Sequence, residues 1–239
     1  MANLFIVATP IGNLEDISLR ALRILKEVDI ILCEDTRVTR KLLSRYDIKT
    51  PVLSYHQHSQ LKKVNYIADL LKKGKDLALV SDSGTPGISD PGNKLINFLV
   101  RECNPSAGSG DNSLSIIPIP GCSALITAAC ISGFPMDRFA FFGFPPHKKK
   151  RNKFFEELFR ELADLKHPVV FYESPHRIIK TLEEVSNKSQ EFNLSPEIIV
   201  CRELTKKFET IYRGTINQVI KKIKDDKIKG EFTVIVAKI

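Results

Sequence analysis

Three clusters of charged side chains each follow a short apolar run. They are Glu34-Asp35-Thr36-Arg37, Glu173-Ser174-Pro175-His176-Arg177 and Arg202-Glu203-Leu204-Thr205-Lys206. Carboxylates, amines and an imidazole in such positions can take or hold a proton, and the imidazole is the side chain that titrates nearest neutrality. The guanidinium and ammonium groups among them suit phosphate oxygens. Each cluster also has an architectural reading. Asp35 or Thr36 would cap a helix carrying Lys41 and Leu42, Ser174 with Pro175 would open another helix, and Arg202 with Glu203 would form surface ion pairs.

Three further segments are rich in glycine and proline: Thr9–Leu14, Ser81–Gly92 and Pro120–Ala124. Glycine lets backbone amides approach a ligand with no side chain between, and proline limits the entropy lost when a loop is ordered. None of the three matches the dinucleotide fingerprint GxGxxG or the phosphate loop GxxxxGK[ST], so nucleotide hydrolysis loses support. Taken together they point to one small-molecule site. Thr85 and Ser123 can hydrogen-bond polar ligand atoms. Asp82 can accept from a ribose hydroxyl or attract a sulfonium by its charge.

The elements that position these segments are legible from periodicity. Strand-like runs occupy Leu4–Ala8, Ile30–Cys33, Val52–Tyr55, Leu77–Ser81 and Leu114–Ile119. Helical faces lie between them, one marked by Leu61, Val64, Ala68 and Leu71 and another by Leu19, Leu22 and Leu25. Strands alternating with helices predict a mainly parallel sheet covered by helices, and ligands of such sheets bind at loops beyond the carboxyl ends of the strands. In the second half the strand-like runs are Phe139–Phe144, Val169–Tyr172, Ile198–Cys201, Thr210–Arg213 and Phe232–Ala237. Phe154, Leu158, Phe159 and Leu162 mark one helix there, and Ile216, Val219, Ile220 and Ile223 another. Several of these strands are joined by short segments, which predicts a mixed sheet. The fold class is therefore α/β with two domains, 1–117 and 118–239, divided near Pro118 and Pro120. The small polar segment Asn104–Ser113 reads as a surface loop.

The chain of 239 residues has 43% hydrophobic and 27% charged residues, as expected of a globular protein. No apolar run is long enough to span a membrane, and the start MANLFIVATP lacks the basic region of a signal peptide, so the expected location is the cytoplasm. The five cysteines are scattered and show no CxxC pair or His/Cys cluster, which predicts buried thiols and no metal. The formal net charge is +8, compatible with a phosphate-rich partner. The run Lys148-Lys149-Lys150-Arg151 is either a solvated helix start or a contact to an RNA backbone.

The segments ATPIGNLEDIS, EDTR, SDSGTPGISDPG, PGCSAL, YESPHR and RELTK occur in this order. Together they resemble the ribosomal RNA small subunit methyltransferase I family, the bacterial 16S rRNA cytidine-2′-O-methyltransferases of the tetrapyrrole methylase superfamily. The resemblance runs from Ala8 to about Val236. It implies a homodimer of two-domain α/β chains with S-adenosylmethionine between the domains, acting on a decoding-region cytidine of 16S rRNA or the small ribosomal subunit. Cofactor contacts carry over to Pro10, Asp82, Gly84, Thr85, Ile88, Ser123 and Ala124. Tyr172, Leu204, Gly230 and Glu231 are added by the second domain. Two departures stand out: Ser83 where the commoner form has alanine, and a longer segment at Asn104–Ser113.

Methyl transfer to oxygen is an in-line displacement, and orientation alone can supply up to roughly 7–11 kcal/mol of its barrier. A ribose hydroxyl is a weak nucleophile, so a base or a positive neighbour helps. The candidates are Glu173, His176, Glu203 and Lys206, with Glu173 or Lys206 expected to assist deprotonation. Arg37, Arg177, Arg202 and Lys206 are expected to bind phosphate or give charge support, and Lys148–Arg151 to contact the RNA. The competing readings are a methylase acting on a tetrapyrrole or other small substrate, and a cofactor-sensing or ribosome-binding module without catalysis.

Overall fold

Parallel strands can be joined only by long crossovers, and the first half of the chain supplies helices of the required length. The computed structural model describes residues 2–56, 61–103 and 114–238; the segment Asn104–Ser113 lies outside them. The order is β1 (Ala2–Val7), α1 (Leu19–Glu27), β2 (Ile30–Cys33), α2 (Thr36–Arg45), β3 (Val52–Ser54), α3 (Leu61–Lys72), β4 (Leu77–Leu79), α4 (Asn93–Cys103) and β5 (Leu114–Ile119). The strands form one sheet in the order β3-β2-β4-β1-β5, and every pairing in it is parallel.

Strand alternation assigns the two faces. Leu4, Leu32, Leu77 and Leu79 pack with Val64, Ile67 and Leu71 of α3 and Leu95 and Leu99 of α4. Val7, Ile31, Cys33 and Ala78 pack with Ala21, Ile24 and Leu25 of α1 and Leu42 and Leu43 of α2. Both faces are thus covered, which is why these strands read as continuous apolar runs. Asp35 caps α2 by accepting from the Arg37 amide, and Ser18 caps α1 in the same way.

The second half continues with α5 (Ala124–Cys130), β6 (Ala140–Phe141), α6 (Arg151–Arg160), β7 (Val169–Glu173), α7 (Ile178–Glu191), β8 (Glu197–Arg202), β9 (Thr210–Thr215), α8 (Ile216–Lys224) and β10 (Phe232–Ala237). Its sheet has the order β6-β7-β10-β8-β9. Only β6 and β7 pair in parallel; β10 is antiparallel to β7 and β8, and β8 to β9. A short turn joins β8 to β9, which permits only the antiparallel pairing. Phe171, Val200, Val234 and Val236 pack on one face against Phe155 and Leu158 of α6, Leu182 and Val185 of α7 and Val219 of α8. Thr215 and Gln218 form a reciprocal capping box at the start of α8.

The chain divides into two compact units, Met1–Ser123 and Ala124–Ile239. The division falls after the expected boundary at 117/118 because β5 continues to Ile119 against β1. Pro118 does not end that strand. It lies on an edge of the sheet, where a missing backbone N–H can be tolerated. Strand β6 is shorter than the run Phe139–Phe144 suggested, since the chain turns at Gly143 with φ +63°.

Candidate active site

The three glycine- and proline-rich loops leave β1, β4 and β5 at their carboxyl ends and are tied to one another within the first unit. The Thr9 amide donates to the Gly84 carbonyl at 2.8 Å, and the Gly84 amide returns to the Thr9 carbonyl at 3.0 Å. The Thr85 hydroxyl donates to the Cys122 carbonyl at 2.9 Å, joining the β4 loop to the β5 loop. The Cys122 thiol donates to the Asp16 carbonyl at 3.2 Å, closing the circuit back to the β1 loop.

Two glycines are required by this geometry. Gly84 sits at φ +82°, a region that costs a residue with a Cβ. A Cβ on Gly121 would stand 3.0 Å from that of Ala8, so the β5 loop crosses β1 in near contact. Pro10 is buried beside this crossing, whereas Ile88 is exposed on the rim and Ser123 is half-buried.

The end of β2 joins the same rim. The Asp35 amide donates to Asp82 Oδ1 at 3.0 Å, which orients the Asp82 carboxylate. The other oxygen of Asp82 accepts no hydrogen bond among the described residues. Glu34, the first acid of the charged cluster after β2, lies beside it. Burial pushes its carboxyl above the ordinary value, and the charges of Asp82 and Asp35 add to this while His56 opposes it. Among the described residues no hydrogen bond or ion pair engages Glu34. Its signal in the sequence was weak: an acid at a strand end, beside one expected to cap a helix.

In the second unit the expected acids and bases occupy fixed networks. Glu173 is 1% exposed. Its Oε1 accepts from the Ser174 amide at 2.7 Å and forms an ion pair with Arg177 Nη2 at 2.7 Å. Its Oε2 accepts from the Thr181 hydroxyl at 2.6 Å and lies 3.8 Å from Arg151. Glu173, expected to assist deprotonation, is thus tied at both oxygens within the second unit. Arg151 is 8% exposed, with Glu184 at 2.6 Å, and Arg202 is 7% exposed, with Asp226 at 2.7 Å. A buried cation left without its carboxylate is costly, so these arginines are turned inward to their partners. Arg177 is likewise held by Glu173. Arg151, Arg177 and Arg202, expected to meet RNA phosphates, thus each have a carboxylate partner within the chain. Lys148, Lys149 and Lys150 are exposed, as is Arg37, which pairs with Asp35 at 2.6 Å.

The RELTK segment is a strained turn, with Glu203 at φ +52° and Thr205 at φ +66°. Lys206 Nζ bridges Glu203 and Glu231, each at 2.8 Å. Burial pulls the ammonium down, but the hydrogen bonds to these two carboxylates outweigh it, so the Lys206 pKa lies above the ordinary lysine value. Lys206 is thus held as a cation between two carboxylates. Burial likewise pushes Glu203 up, yet Lys206 and the Glu231 amide carry it net below the usual value. Glu203 Oε1 accepts from the Glu231 amide at 3.0 Å, and a Cβ on Gly230 would overlap the Glu203 side chain. Leu204 is buried in this turn. The Tyr172 hydroxyl accepts from the Leu125 amide, one residue past Ala124, at 3.2 Å. His176 is exposed and makes no hydrogen bond among the described residues.

Solved structures share this architecture. A cobalt precorrin-4 methyltransferase of cobalamin biosynthesis matches with a TM-score of 0.67 at 20% identity, over 98% of this chain and 94% of its own. A uroporphyrin-III-C-methyltransferase from Thermus thermophilus matches at 0.62 and 16% identity, over 98% and 93%. The fold is that of the tetrapyrrole (corrin/porphyrin) methylases, whose family model matches residues 3–220. Proteins named ribosomal RNA small subunit methyltransferase I are closer in sequence. The one from Mycoplasmopsis pulmonis is 44% identical over 98% of this chain and 97% of its own. The one from Thermotoga maritima is 41% identical over 99% of each, and that from Halalkalibacterium halodurans is 42% identical over 98% and 75%. The chain belongs to the ribosomal RNA small subunit methyltransferase I family of tetrapyrrole methylases.

Proposed function

We propose that this chain is an S-adenosylmethionine-dependent methyltransferase for a cytidine 2′-hydroxyl of 16S rRNA, working in the cytoplasm as a homodimer. The observation that carries this reading is the closed circuit of the β1, β4 and β5 loops around Asp82, in a chain of this family. S-adenosylmethionine, when bound, supplies a methyl group on a sulfonium for transfer to the ribose oxygen. The backbone at Pro10, Gly84, Thr85 and Ile88, with Ser123 and Ala124, would hold it, and the free oxygen of Asp82 would accept from its ribose. Contacts from Tyr172, Leu204, Gly230 and Glu231 belong to the same proposal.

The rigid loops fix orientation, the largest contribution such a site can make. Lys206, held cationic, offers charge support. Among the described residues, Glu34 and His176 are the groups assigned here to take the 2′-hydroxyl proton. Arg37 and Lys148–Lys150 would meet RNA phosphates.

The test is transfer of labelled methyl from S-adenosylmethionine to small ribosomal subunits from cells lacking this protein, with porphyrin precursors as the rival substrate. A 2′-O-methyl group blocks alkaline cleavage, so the label should appear in an alkali-resistant dinucleotide with cytidine on its 5′ side. Label on a base, or on the porphyrin alone, would refute the reading. E34Q and H176A should each be measured for turnover; full rates in both would remove the assigned proton acceptors.

A further inference from the structure

The buried Glu173 network has an outcome on the surface of the second unit. Arg177 Nη1 donates to the Pro145 carbonyl at 2.9 Å, and Arg151 Nη1 donates to the Pro146 carbonyl at 3.0 Å. The Tyr172 amide donates to the Gly143 carbonyl at 2.9 Å. The segment between β6 and α6 is thus pinned at three carbonyls. It presents Phe144, whose residue surface is 53% exposed. The Phe144 ring is braced by Tyr172, with centroids 5.3 Å apart, and Tyr172 is held edge-on by Phe141 at 5.0 Å.

Burying a carboxylate with two guanidinium groups has a desolvation cost that a stable core does not require. Here both cations are spent on orienting one short loop. Directly beyond its prolines, Lys148, Lys149 and Lys150 are exposed, and none forms an ion pair among the described residues. A fixed, exposed aromatic ring beside unpaired cations is complementary to an unpaired nucleobase and its flanking phosphates.

We propose that Phe144 is a stacking platform for an unpaired base of the RNA substrate. Lys148–Lys150 bind the adjoining phosphates, and Glu173, Arg151 and Arg177 are the positioning residues that hold the platform. This rests on the RNA-methyltransferase reading and adds the surface through which single-stranded RNA is gripped.

The experiment is fluorescence anisotropy of a labelled oligocytidylate with the full chain, alongside a base-paired RNA hairpin. F144A, F144L, F144W and the triple variant K148A/K149A/K150A are compared. Calorimetry with S-adenosylmethionine checks that each variant is folded. F144A and F144L should bind the single strand roughly tenfold or more weakly, F144W should bind it like the wild type, and hairpin binding should change little. The triple variant should weaken both RNAs and flatten the salt dependence. Wild-type affinity in F144A, or in F144L, would overturn the platform. So would a changed oligomeric state of F144A by sedimentation, which would assign the ring to an interface between copies. Loss of stacking in F144A, in a protein that transfers no methyl to small subunits, would sink the methyltransferase reading and leave the platform standing.

Discussion

The two units build their rims from different materials. In the first, the loops beyond β1, β4 and β5 are held chiefly by backbone groups and small side chains, such as the paired Thr9–Gly84 bonds and the Thr85–Cys122 bond. In the second, buried or half-buried ions carry the structure: Glu173 with Arg151 and Arg177, Arg202 with Asp226, and Lys206 between Glu203 and Glu231. The backbone-built rim leaves one oxygen of Asp82 without a hydrogen bond among the described residues. An ion-built rim has its charges already matched, so it offers shape and fixed fields more than free proton acceptors. Charged residues at strand ends therefore differ in meaning between the units: Asp82 keeps an open oxygen, while Glu173 has none.

The strongest way to break this contrast is E173A. It leaves the mostly buried Arg177 without its carboxylate and takes away one of the two that face Arg151, and breaking a buried pair from one side typically costs about 3–5 kcal/mol. The expected result is a large fall in the urea midpoint. E173Q keeps the hydrogen-bonding shape without the charge and should fall less. A near-normal midpoint in E173A would show that the network is not a structural anchor.

The matching test in the first unit is G84A. At φ +82° an alanine is strained by roughly 1–2 kcal/mol, and its Cβ would meet Ile11 Cγ2 at 3.4 Å. Stability should drop by about that amount, and affinity for S-adenosylmethionine, read by calorimetry, should drop with it as the Thr9 bridge is disturbed. Unchanged donor affinity would detach the loop from the proposed site.

The same contrast explains what the sequence revealed. Gly84, Pro86 and Gly87 state a local backbone geometry within four letters, so the tight β4 loop could be recognised before any contact was known. The strands and helices were legible for a similar reason: parallel strands covered on both faces are continuous apolar runs, as at Ile30–Cys33. The ion networks were not legible. Arg151 and Thr181 are thirty residues apart in the chain, and nothing local in KKKR separates the inward arginine from its three exposed neighbours. The YESPHR motif marks Glu173 but gives no sign that both of its oxygens are taken. Glu34 was passed over because only the fold brings β2 beside β4 and sets its carboxyl near Asp82.

A smaller effect sharpens the account of the loops. T85V keeps the shape of the side chain and removes the bond to the Cys122 carbonyl, which should cost about 1 kcal/mol. If the bond serves to seat the β5 loop for the donor, affinity should fall by more than stability alone requires. Equal donor affinity in T85V and wild type would reduce the bond to simple packing.

The finest test sets two neighbouring acids against each other. In the folded chain burial, with Asp82 and Asp35 adding to it, raises the Glu34 pKa. The folded state then holds that proton more tightly than the unfolded state. The stability tied to Glu34 is full below its unfolded pKa and is lost as pH rises through the folded value. E34Q should accordingly be more stable than wild type at neutral pH, with the difference fading toward about pH 4. Asp35 has the opposite sign: hydrogen bonds from the Arg37 side chain and amide lower its pKa to about 2. Its contribution is present above the unfolded value and lost as pH falls through about 2. D35N, which keeps a capping oxygen, should therefore be less stable than wild type at neutral pH, and the gap should close only in acid. Denaturant midpoints across pH for both variants would measure this. Opposite slopes from adjacent residues would locate the desolvated spot at Glu34, whereas parallel slopes would show that the end of β2 presents two ordinary solvated carboxylates.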